Sequence, residues 1–150
     1  MTSEDSFKEK TDVSLRPLHL GISVPHMDES IAWYTDTLGF SLLSDNYMEP
    51  IKARVAFLKH GEFSIELFEI EGAKPLPEER RFPNLDIQTH GTKHVAFAVK
   101  DIRKFVDRLK EKNVDIAMDV FPMEQDLVCF IRDNSGNLLE LIQTQEKQDW

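Results

Sequence analysis

The stretch LHLGISV at residues 18–24 decides the fold, because a related stretch, KHVAFAV, returns 75 positions later at residues 93–99. Both stretches alternate apolar side chains with other side chains, which is the pattern of a β-strand with one buried face. His19 and His94 occupy the second position of each stretch, on the face opposite the apolar side chains. The next two residues of that face are small in both copies. The repeat therefore predicts two equivalent strands that each turn a histidine toward a cavity.

The repeat continues through the rest of each half. An amphipathic helix follows the first strand; it is predicted to begin near Asp28, its candidate N-cap, and to end at Gly39. The second helix is predicted to begin at Asp101 and to end near Asn113. Three further strands are predicted in each half, at residues 40–43, 54–58, 63–68, 115–118, 127–132 and 138–143. Glycine-bearing turns join the last two strands of each half, at residues 59–62 and 133–137. The order strand, helix, strand, strand, strand occurs twice, which predicts an α+β fold of two paired βαβββ modules.

The two modules are predicted to form one structural domain. The first module covers residues 15–70 and the second covers residues 92–143. Residues 71–91 are predicted to be a linker loop, because this segment holds three prolines and a cluster of charges but no apolar period. Residues 1–14 are predicted to be a polar N-terminal extension, and residues 144–150 are predicted to be a tail.

The composition is that of a globular, acidic chain. It has 150 residues, a formal net charge of −9 and 41% hydrophobic residues, and no apolar run reaches the ~20 residues of a membrane-spanning helix. The net charge argues against a general nucleic-acid binder, which would need a basic face. The lone Cys129 in an apolar run indicates a buried thiol in reducing surroundings, and the polar N-terminus shows no secretory signal. We therefore expect a cytoplasmic protein that acts on a small molecule and binds neither nucleic acid nor membrane.

The last strand of each half carries a glutamate between apolar residues. Glu66 and Glu140 stand at equivalent positions of the repeat, and alternation turns both toward the histidine-bearing face. A carboxylate in such a strand is costly unless it is paired, hydrogen-bonded or bound to a cation. A structural histidine or a salt-bridged glutamate would explain each residue taken alone. Because both types recur at equivalent positions, the pattern instead favours one divalent metal ion. The predicted ligands are His19, Glu66, His94 and Glu140, and the candidate ions are Zn²⁺, Ni²⁺, Co²⁺, Mn²⁺ and Fe²⁺.

The same alternation predicts the walls of a substrate pocket. Small residues leave room on the histidine-bearing faces, and larger apolar residues form walls. The predicted lining residues are Gly21, Ser23, Ser64, Phe68, Ala96, Ala98, Leu138 and Ile142. Arg54 on the third strand is a further candidate, because its guanidinium could pair with an anionic group of the substrate. The alternative for Arg54 is a solvent-exposed strand arginine.

Two motifs point to a family that the chain resembles. The first is W-Y-x-x-x-L-G-F at residues 33–40, and the second is D-x-x-G-N-x-x-E-L at residues 133–141. Together with the two histidine-bearing strands, they resemble the vicinal oxygen chelate superfamily over residues 15–143. That superfamily includes glyoxalase I, methylmalonyl-CoA epimerase, extradiol dioxygenases and the bleomycin and fosfomycin resistance proteins. The resemblance implies paired βαβββ modules whose curved sheets enclose a metal-centred cavity, with the ligands at the same four residues.

The ligand set and the resemblance together predict a reaction. A divalent ion that chelates two neighbouring oxygens of a small substrate makes the C–H bond between them more acidic. Glu140 or Glu66 would then act as the base that shifts a proton through an enediolate. The four-ligand pattern is nearest to glyoxalase I and methylmalonyl-CoA epimerase. We therefore expect an enzyme, a metal-dependent lyase or isomerase of the glyoxalase type.

Two other functions stay open on the sequence. A ring-cleaving dioxygenase would use Fe²⁺ with two histidines and one carboxylate, which the sequence allows if Glu66 is not a ligand. The second function is that of a non-catalytic module that binds a small molecule or confers resistance. Members of the superfamily form the cavity within one chain or by exchange of halves between two chains. We expect a homodimer, and the sequence is compatible with a site inside one chain or shared by two.

Overall fold

The computed structural model of the chain describes residues 13–146 and residue 150. The strands of the first half are β1 (His19–Ser23), β2 (Ser41–Met48), β3 (Ala53–His60) and β4 (Phe63–Glu69). Those of the second half are β5 (Val95–Ala98), β6 (Asp115–Met123), β7 (Asp126–Arg132) and β8 (Leu138–Gln143). The helices are α1 (Met27–Leu38), α2 (Pro83–Asp86) and α3 (Ile102–Glu111), with 3₁₀ turns at Glu49–Ile51 and Glu78–Arg81. Most of the predicted N-terminal extension and part of the predicted tail, residues 1–12 and 147–149, lie outside the described residues.

Each half forms one four-stranded mixed sheet, and the two sheets share one topology. Their strand orders are β1-β4-β3-β2 and β5-β8-β7-β6. The first and last strands of each module are parallel, and all other neighbours are antiparallel. This arrangement confirms the predicted α+β fold of two paired βαβββ modules. Within the part of the chain that is described, no helix is long and apolar enough to cross a membrane.

The outer strands β2 and β6 are longer than predicted. β2 continues to Met48 and β6 continues to Met123, five residues beyond the predicted ends in both cases. Both strands shift register against their neighbours. A register shift or bulge breaks the period of two, because it turns the following side chains to the other face. Backbone pairing therefore continues where the alternation of the sequence is lost.

Alternation along the other strands divides each sheet into two faces. One face of each sheet packs with α1 and α3 into a single shared core. Fully buried members of this core include Tyr34, Leu58, Ile65, Leu67, Ile102, Leu109, Cys129, Ile131, Leu139 and Leu141. Burial raises the pKa of the Cys129 thiol to about 11. We call the opposite face the site face; it carries Gly21 and Glu66 in the first sheet and Ala96 and Glu140 in the second.

Helix α1 begins at Met27 and takes its cap from a distant residue. The N-cap residue His26 makes no side-chain hydrogen bond to the helix. The Met27 N–H instead donates to Oε2 of Glu69, at the end of β4, at 2.6 Å. Asp28 pairs with Arg54 at 2.7 Å, so the prediction that Asp28 is the cap is wrong. The reason is that a carboxylate 42 positions away leaves no trace in the local capping pattern.

Helix α3 begins where the sequence predicts. The N-cap is Asp101, the predicted start, and its carboxylate accepts a hydrogen bond from the Lys104 N–H at 3.2 Å. The Ile102 N–H also donates to Oε1 of Gln143, at the end of β8, at 2.9 Å. Gln143 occupies the place in the second module that Glu69 occupies in the first. The last strand of each module thus satisfies an N–H group at the start of its own helix.

The predicted end of α1 and the two predicted turns are confirmed. Gly39 follows the helix with φ 75°, and its N–H donates to the Thr35 carbonyl at 3.2 Å. Two residues separate β3 from β4, whereas five residues separate β7 from β8. This difference in turn length is a clear departure from the internal repeat.

A buried hydrogen bond joins the first module to the second. The Tyr34 hydroxyl donates to Oδ2 of Asp133 at 2.7 Å, and both side chains are buried. The N–H groups of Ser135 and Asn137 donate to Oδ1 of Asp133 at 2.8 and 2.9 Å. Burial, followed by the charge and hydrogen bond of Asp133, raises the pKa of Tyr34 well above its ordinary value. The turn after β7 is thereby fixed on α1.

We expect Tyr34 to make folding sensitive to alkaline pH. Because its pKa is higher in the folded chain than in the unfolded chain, where it is about 10, its stabilising contribution is complete below about pH 10 and is lost as the pH rises. Tyr34 alone should lower the free energy of unfolding by up to about 1.4 kcal/mol per pH unit above that point. Urea denaturation between about pH 8 and pH 11 should show a steeper fall for the unaltered chain than for Tyr34→Phe. Parallel curves would contradict this.

Candidate active site

Neighbouring strands bring each histidine to the glutamate of its own module. β1 lies parallel to β4, and Nε2 of His19 lies 3.1 Å from Oε2 of Glu66. β5 lies parallel to β8, and Nε2 of His94 lies 2.8 Å from Oε2 of Glu140. The two histidine–glutamate pairs therefore occupy equivalent places on the site faces of the two sheets.

A phenylalanine that was not among the predicted site residues packs against each pair. Phe57 stands opposite Glu66 in the register and meets the His19 ring edge-on, with ring centroids 5.6 Å apart. Phe130 makes the equivalent two contacts in the second module, with centroids 5.0 Å apart. The signal that could have found them is a further repeat, VAFLK at residues 55–59 and VCFIR at residues 128–132. Each ring limits the rotation of its histidine and covers one side of the pair.

The two pairs do not meet within one chain. Among residues 13–146 and 150, no group of three or more His, Cys, Asp or Glu side chains is placed to hold a metal ion. Each pair is also partly open to solvent. The histidine and glutamate side chains are 35% and 21% exposed in the first pair, and 24% and 13% exposed in the second. A single chain therefore presents two separate pairs, each with one imidazole and one carboxylate, which we call half-sites because each holds half of the predicted ligand set.

The donor atoms of each half-site suit a divalent transition metal. Imidazole nitrogen and carboxylate oxygen bind such an ion at about 2.0–2.2 Å, which places two adjacent ligands about 3 Å apart. The Nε2–Oε2 distances of 3.1 and 2.8 Å match that separation. Two half-sites facing each other would offer two imidazoles and two carboxylates, a set that fits the predicted ions and balances their charge.

Eight predicted pocket residues lie beside these pairs. Gly21, Ser23, Ser64 and Phe68 share the site face of the first sheet with Glu66. Ala96, Ala98, Leu138 and Ile142 share the site face of the second sheet with Glu140. A Cβ atom at Gly21 would lie 3.3 Å from the ring of Phe68. The backbone at Gly21 thus lies so close to the Phe68 ring that a side chain at this position would crowd the ring.

Arg54 lies on the other face of the first sheet. Its register partner is Glu69, the residue that caps α1, and not Glu66. Its guanidinium donates to Asp45 and Asp28, both at 2.7 Å, and these hydrogen bonds raise the pKa of Arg54 above its ordinary value. The structure therefore does not bring Arg54 to the pocket.

The segment between the modules anchors the backbone that leads to His94. Asp86 on α2 is 1% exposed, and its Oδ1 accepts hydrogen bonds from Arg80 and Lys93, both at 3.1 Å. Arg80 also donates to the Thr92 carbonyl at 3.0 Å. The ammonium of Lys93 donates to the Asp86 carbonyl at 2.7 Å. These bonds fix the two residues that directly precede His94.

Replacing Asp86 with alanine should weaken this anchor. Two partly buried cations would lose their shared carboxylate, and we expect the free energy of unfolding to fall by about 3 kcal/mol. Urea denaturation measures the change. Glu79→Ala, which removes an exposed carboxylate from the same segment, is the control and should change stability by less than about 0.5 kcal/mol. Equal effects of the two substitutions would contradict the anchor.

Comparison with known protein sequences agrees with this architecture. A family model described as the Glyoxalase/Bleomycin resistance protein/Dioxygenase superfamily matches residues 16–141. The chain is 30% identical over 138 residues to a "Probable lactoylglutathione lyase" of Synechocystis sp., covering 88% of this chain and 98% of that protein. It is 35% identical over 125 residues to the "Uncharacterized protein YaeR" of Escherichia coli, covering 82% of this chain and 92% of that protein.

A solved structure has the same fold. The crystal structure of a glyoxalase family protein from Enterococcus faecalis matches with a TM-score of 0.71 at 23% sequence identity. The match covers 85% of this chain and 97% of that chain, so both modules are included. Because the family model also spans both modules, the chain belongs to the Glyoxalase/Bleomycin resistance protein/Dioxygenase superfamily.

Proposed function

We propose that the chain is a metal-dependent lyase or isomerase of the glyoxalase type that works as a homodimer. The observation that carries the proposal is the presence of two equivalent, partly open half-sites, His19 with Glu66 and His94 with Glu140. The relative in Synechocystis, a probable lactoylglutathione lyase, supports the same class of reaction. Glyoxalase-type chemistry is the function that this ligand set favours most.

The separation of the half-sites is the reason for proposing a dimer. A two-fold axis that sets the first site face of one protomer against the second site face of its partner also creates the reverse contact. Two complete four-ligand sites would result, one for each chain. Exposed apolar side chains on β2 and β6 support such a contact, since they are typical of protein–protein surfaces. They are Leu42, Leu43, Tyr47, Met48 and Met123.

Within such a site, the carboxylates would move the proton. A bound divalent ion supplies Lewis acidity that makes the C–H bond beside a substrate carbonyl easier to break. Oε2 of Glu140 faces His94, so Oε1 is the atom available to take a proton from one carbon and return it to the next. Glu66 is placed in the same way beside His19. Phe57 and Phe130 would keep water from one side of the pairs, which hinders loss of the proton to solvent.

The proposed substrate is a small carbon acid with two adjacent oxygens, such as the hemithioacetal formed by a 2-oxoaldehyde and a thiol. In its isomerisation, a hydrogen leaves the carbon that bears sulfur, and the neighbouring carbon gains one. The first carbon becomes a thioester carbonyl and the second becomes an alcohol, so no external oxidant is needed. The small residues Gly21, Ala96 and Ala98 leave room on the site faces for such a molecule.

Metal titration and a turnover assay test the proposal. We expect metal-free protein to bind about one ion per chain from the set Zn²⁺, Ni²⁺, Co²⁺, Mn²⁺ and Fe²⁺. The loaded protein should form a thioester from methylglyoxal and glutathione, or epimerise a related carbon acid, as followed by ultraviolet absorbance or by deuterium exchange at carbon. Failure to bind any of these ions would overturn the proposal. Oxygen uptake with catechols and Fe²⁺, without proton transfer, would show a dioxygenase instead.

A further inference from the structure

A second cavity lies behind the second sheet, away from the predicted ligands. It has a volume of about 560 Å³, and apolar side chains of both modules line it. They include Leu38, Phe40, Phe63, Phe97, Phe105 and Leu141. Phe97 and Leu141 are register partners that alternate with Ala96 and Glu140 along their strands. The cavity therefore opens mainly on the face opposite the site face; Ala98 of the site face also lines it, whereas none of the four predicted metal ligands does.

The internal repeat explains why this space is not filled. At the equivalent place beside α1, Tyr34 bonds to Asp133, and Asn134 donates to Ser30 at 3.1 Å. Beside α3, the facing turn has two residues instead of five. The residue of α3 equivalent to Tyr34 is Leu109, which is smaller and has no hydroxyl. The shorter turn thus leaves a cavity where the other half has a polar junction.

The mouth of this cavity is basic. Lys100, Arg108 and His60 line it together with one acid, Asp101. The carboxylate of Asp101 is already engaged as the cap of α3. Within the described part of the chain, no carboxylate lies within 4 Å of the charged groups of Lys100 or Arg108. Among the described residues, Lys100 and Arg108 thus have no carboxylate partner, and both lie beside the apolar cavity.

We propose that this cavity binds an amphipathic organic anion, with an aromatic body against the phenylalanines and a carboxylate at Lys100 and Arg108. Sites for small molecules measure about 300–1,000 Å³ and are mostly apolar with a few polar groups, and this cavity fits that description. A carboxylate that accepts hydrogen bonds from two cations is held more strongly than by neutral donors. The ring of Trp150 lies at the rim, 5.1 Å from Nζ of Lys100, and would sense the bound molecule.

Fluorescence titration with 8-anilinonaphthalene-1-sulfonate, an aromatic anion, tests the proposal. We expect one saturable site per chain and displacement of the probe by 2-naphthoate. Arg108→Glu should raise the dissociation constant at least about ten-fold. Arg103→Glu makes the same change of charge on α3 outside the cavity and should alter it less than about two-fold. Leu38→Phe narrows the cavity without changing a charge and should also weaken binding. Thermal denaturation verifies that each variant is folded.

Several results would overturn this second site. Equal dissociation constants for Arg108→Glu and Arg103→Glu would remove the role of the cationic mouth. If the Glu140→Gln variant no longer binds the probe, the probe binds on the site face instead. If deletion of Trp150 raises the affinity for the probe about ten-fold, the indole of Trp150 occupies the cavity in the unaltered chain. Because none of these readouts requires metal or turnover, they are independent of the proposed reaction.

Discussion

A heterodimer of two defective double variants should regain one working metal site. One chain carries His19→Ala with Glu66→Ala, and the other carries His94→Ala with Glu140→Ala. If the site is shared as proposed, the heterodimer has one site that keeps all four ligands and one that keeps none. It should bind about half as many ions as the unaltered dimer and recover about half of its turnover. Each double-variant homodimer should lose metal affinity by at least about 100-fold.

Two affinity tags allow the heterodimer to be purified, and equilibrium dialysis against Co²⁺ followed by metal analysis measures its ion content. A heterodimer of two differently tagged, unaltered chains is the control for exchange and purification. No recovery in the mixed species would place all four ligands within one chain. Full binding by either double variant alone would mean that the ligands are assigned incorrectly.

Replacing Asp133 with alanine should have the largest effect on stability. The residue is 4% exposed, and its carboxylate accepts four hydrogen bonds, from the Tyr34 hydroxyl, the Ser135 N–H, the Asn137 N–H and the Asn137 side chain. Its loss leaves these donors without their acceptor in buried or partly buried surroundings. A fully buried donor without an acceptor costs about 1–3 kcal/mol. We expect the free energy of unfolding to fall by about 3–5 kcal/mol, out of the roughly 5–15 kcal/mol of a typical domain.

Urea denaturation followed by circular dichroism measures this effect. Asp36→Ala removes a carboxylate from the exposed side of α1 and should cost no more than about 0.5 kcal/mol. Tyr34→Phe removes only one of the four hydrogen bonds of Asp133 and should cost about 1 to 2 kcal/mol. A loss in Asp133→Ala no greater than that in Tyr34→Phe would show that this carboxylate does not hold the turn.

The elements marked by a clear local pattern could be predicted from the sequence. β8 has its predicted limits, Leu138–Gln143, because apolar residues occupy both its faces and a glycine-bearing turn precedes it. The approach of His19 to Glu66 follows from the same pattern, since paired residues on adjacent strands point to one face. The start of α3 was predictable because its cap, Asp101, is local.

Features that depend on register or on distant contacts could not be predicted. A two-residue turn pairs His60 with Phe63, which sets Arg54 opposite Glu69 and turns it away from the pocket. One added residue in the turn would move Arg54 to the other face of the sheet, so the composition of the strand does not reveal which face Arg54 occupies. The separation of the two half-sites depends on how the modules pack, which alternation within a strand does not encode.

The two helix starts show how the halves of this chain have diverged. In the first half the hydrogen-bonded carboxylate belongs to Glu69 on the last strand, and His26 at the N-cap provides none. In the second half the carboxylate belongs to Asp101 at the N-cap, and the last strand offers the neutral amide of Gln143. A negative charge near the start of a helix offsets the positive end of its dipole. Both modules thus place one hydrogen-bonded carboxylate at the start of the helix but carry it on different residues, so the equivalent unit of the repeat is the strand end together with the helix start, and not the single residue.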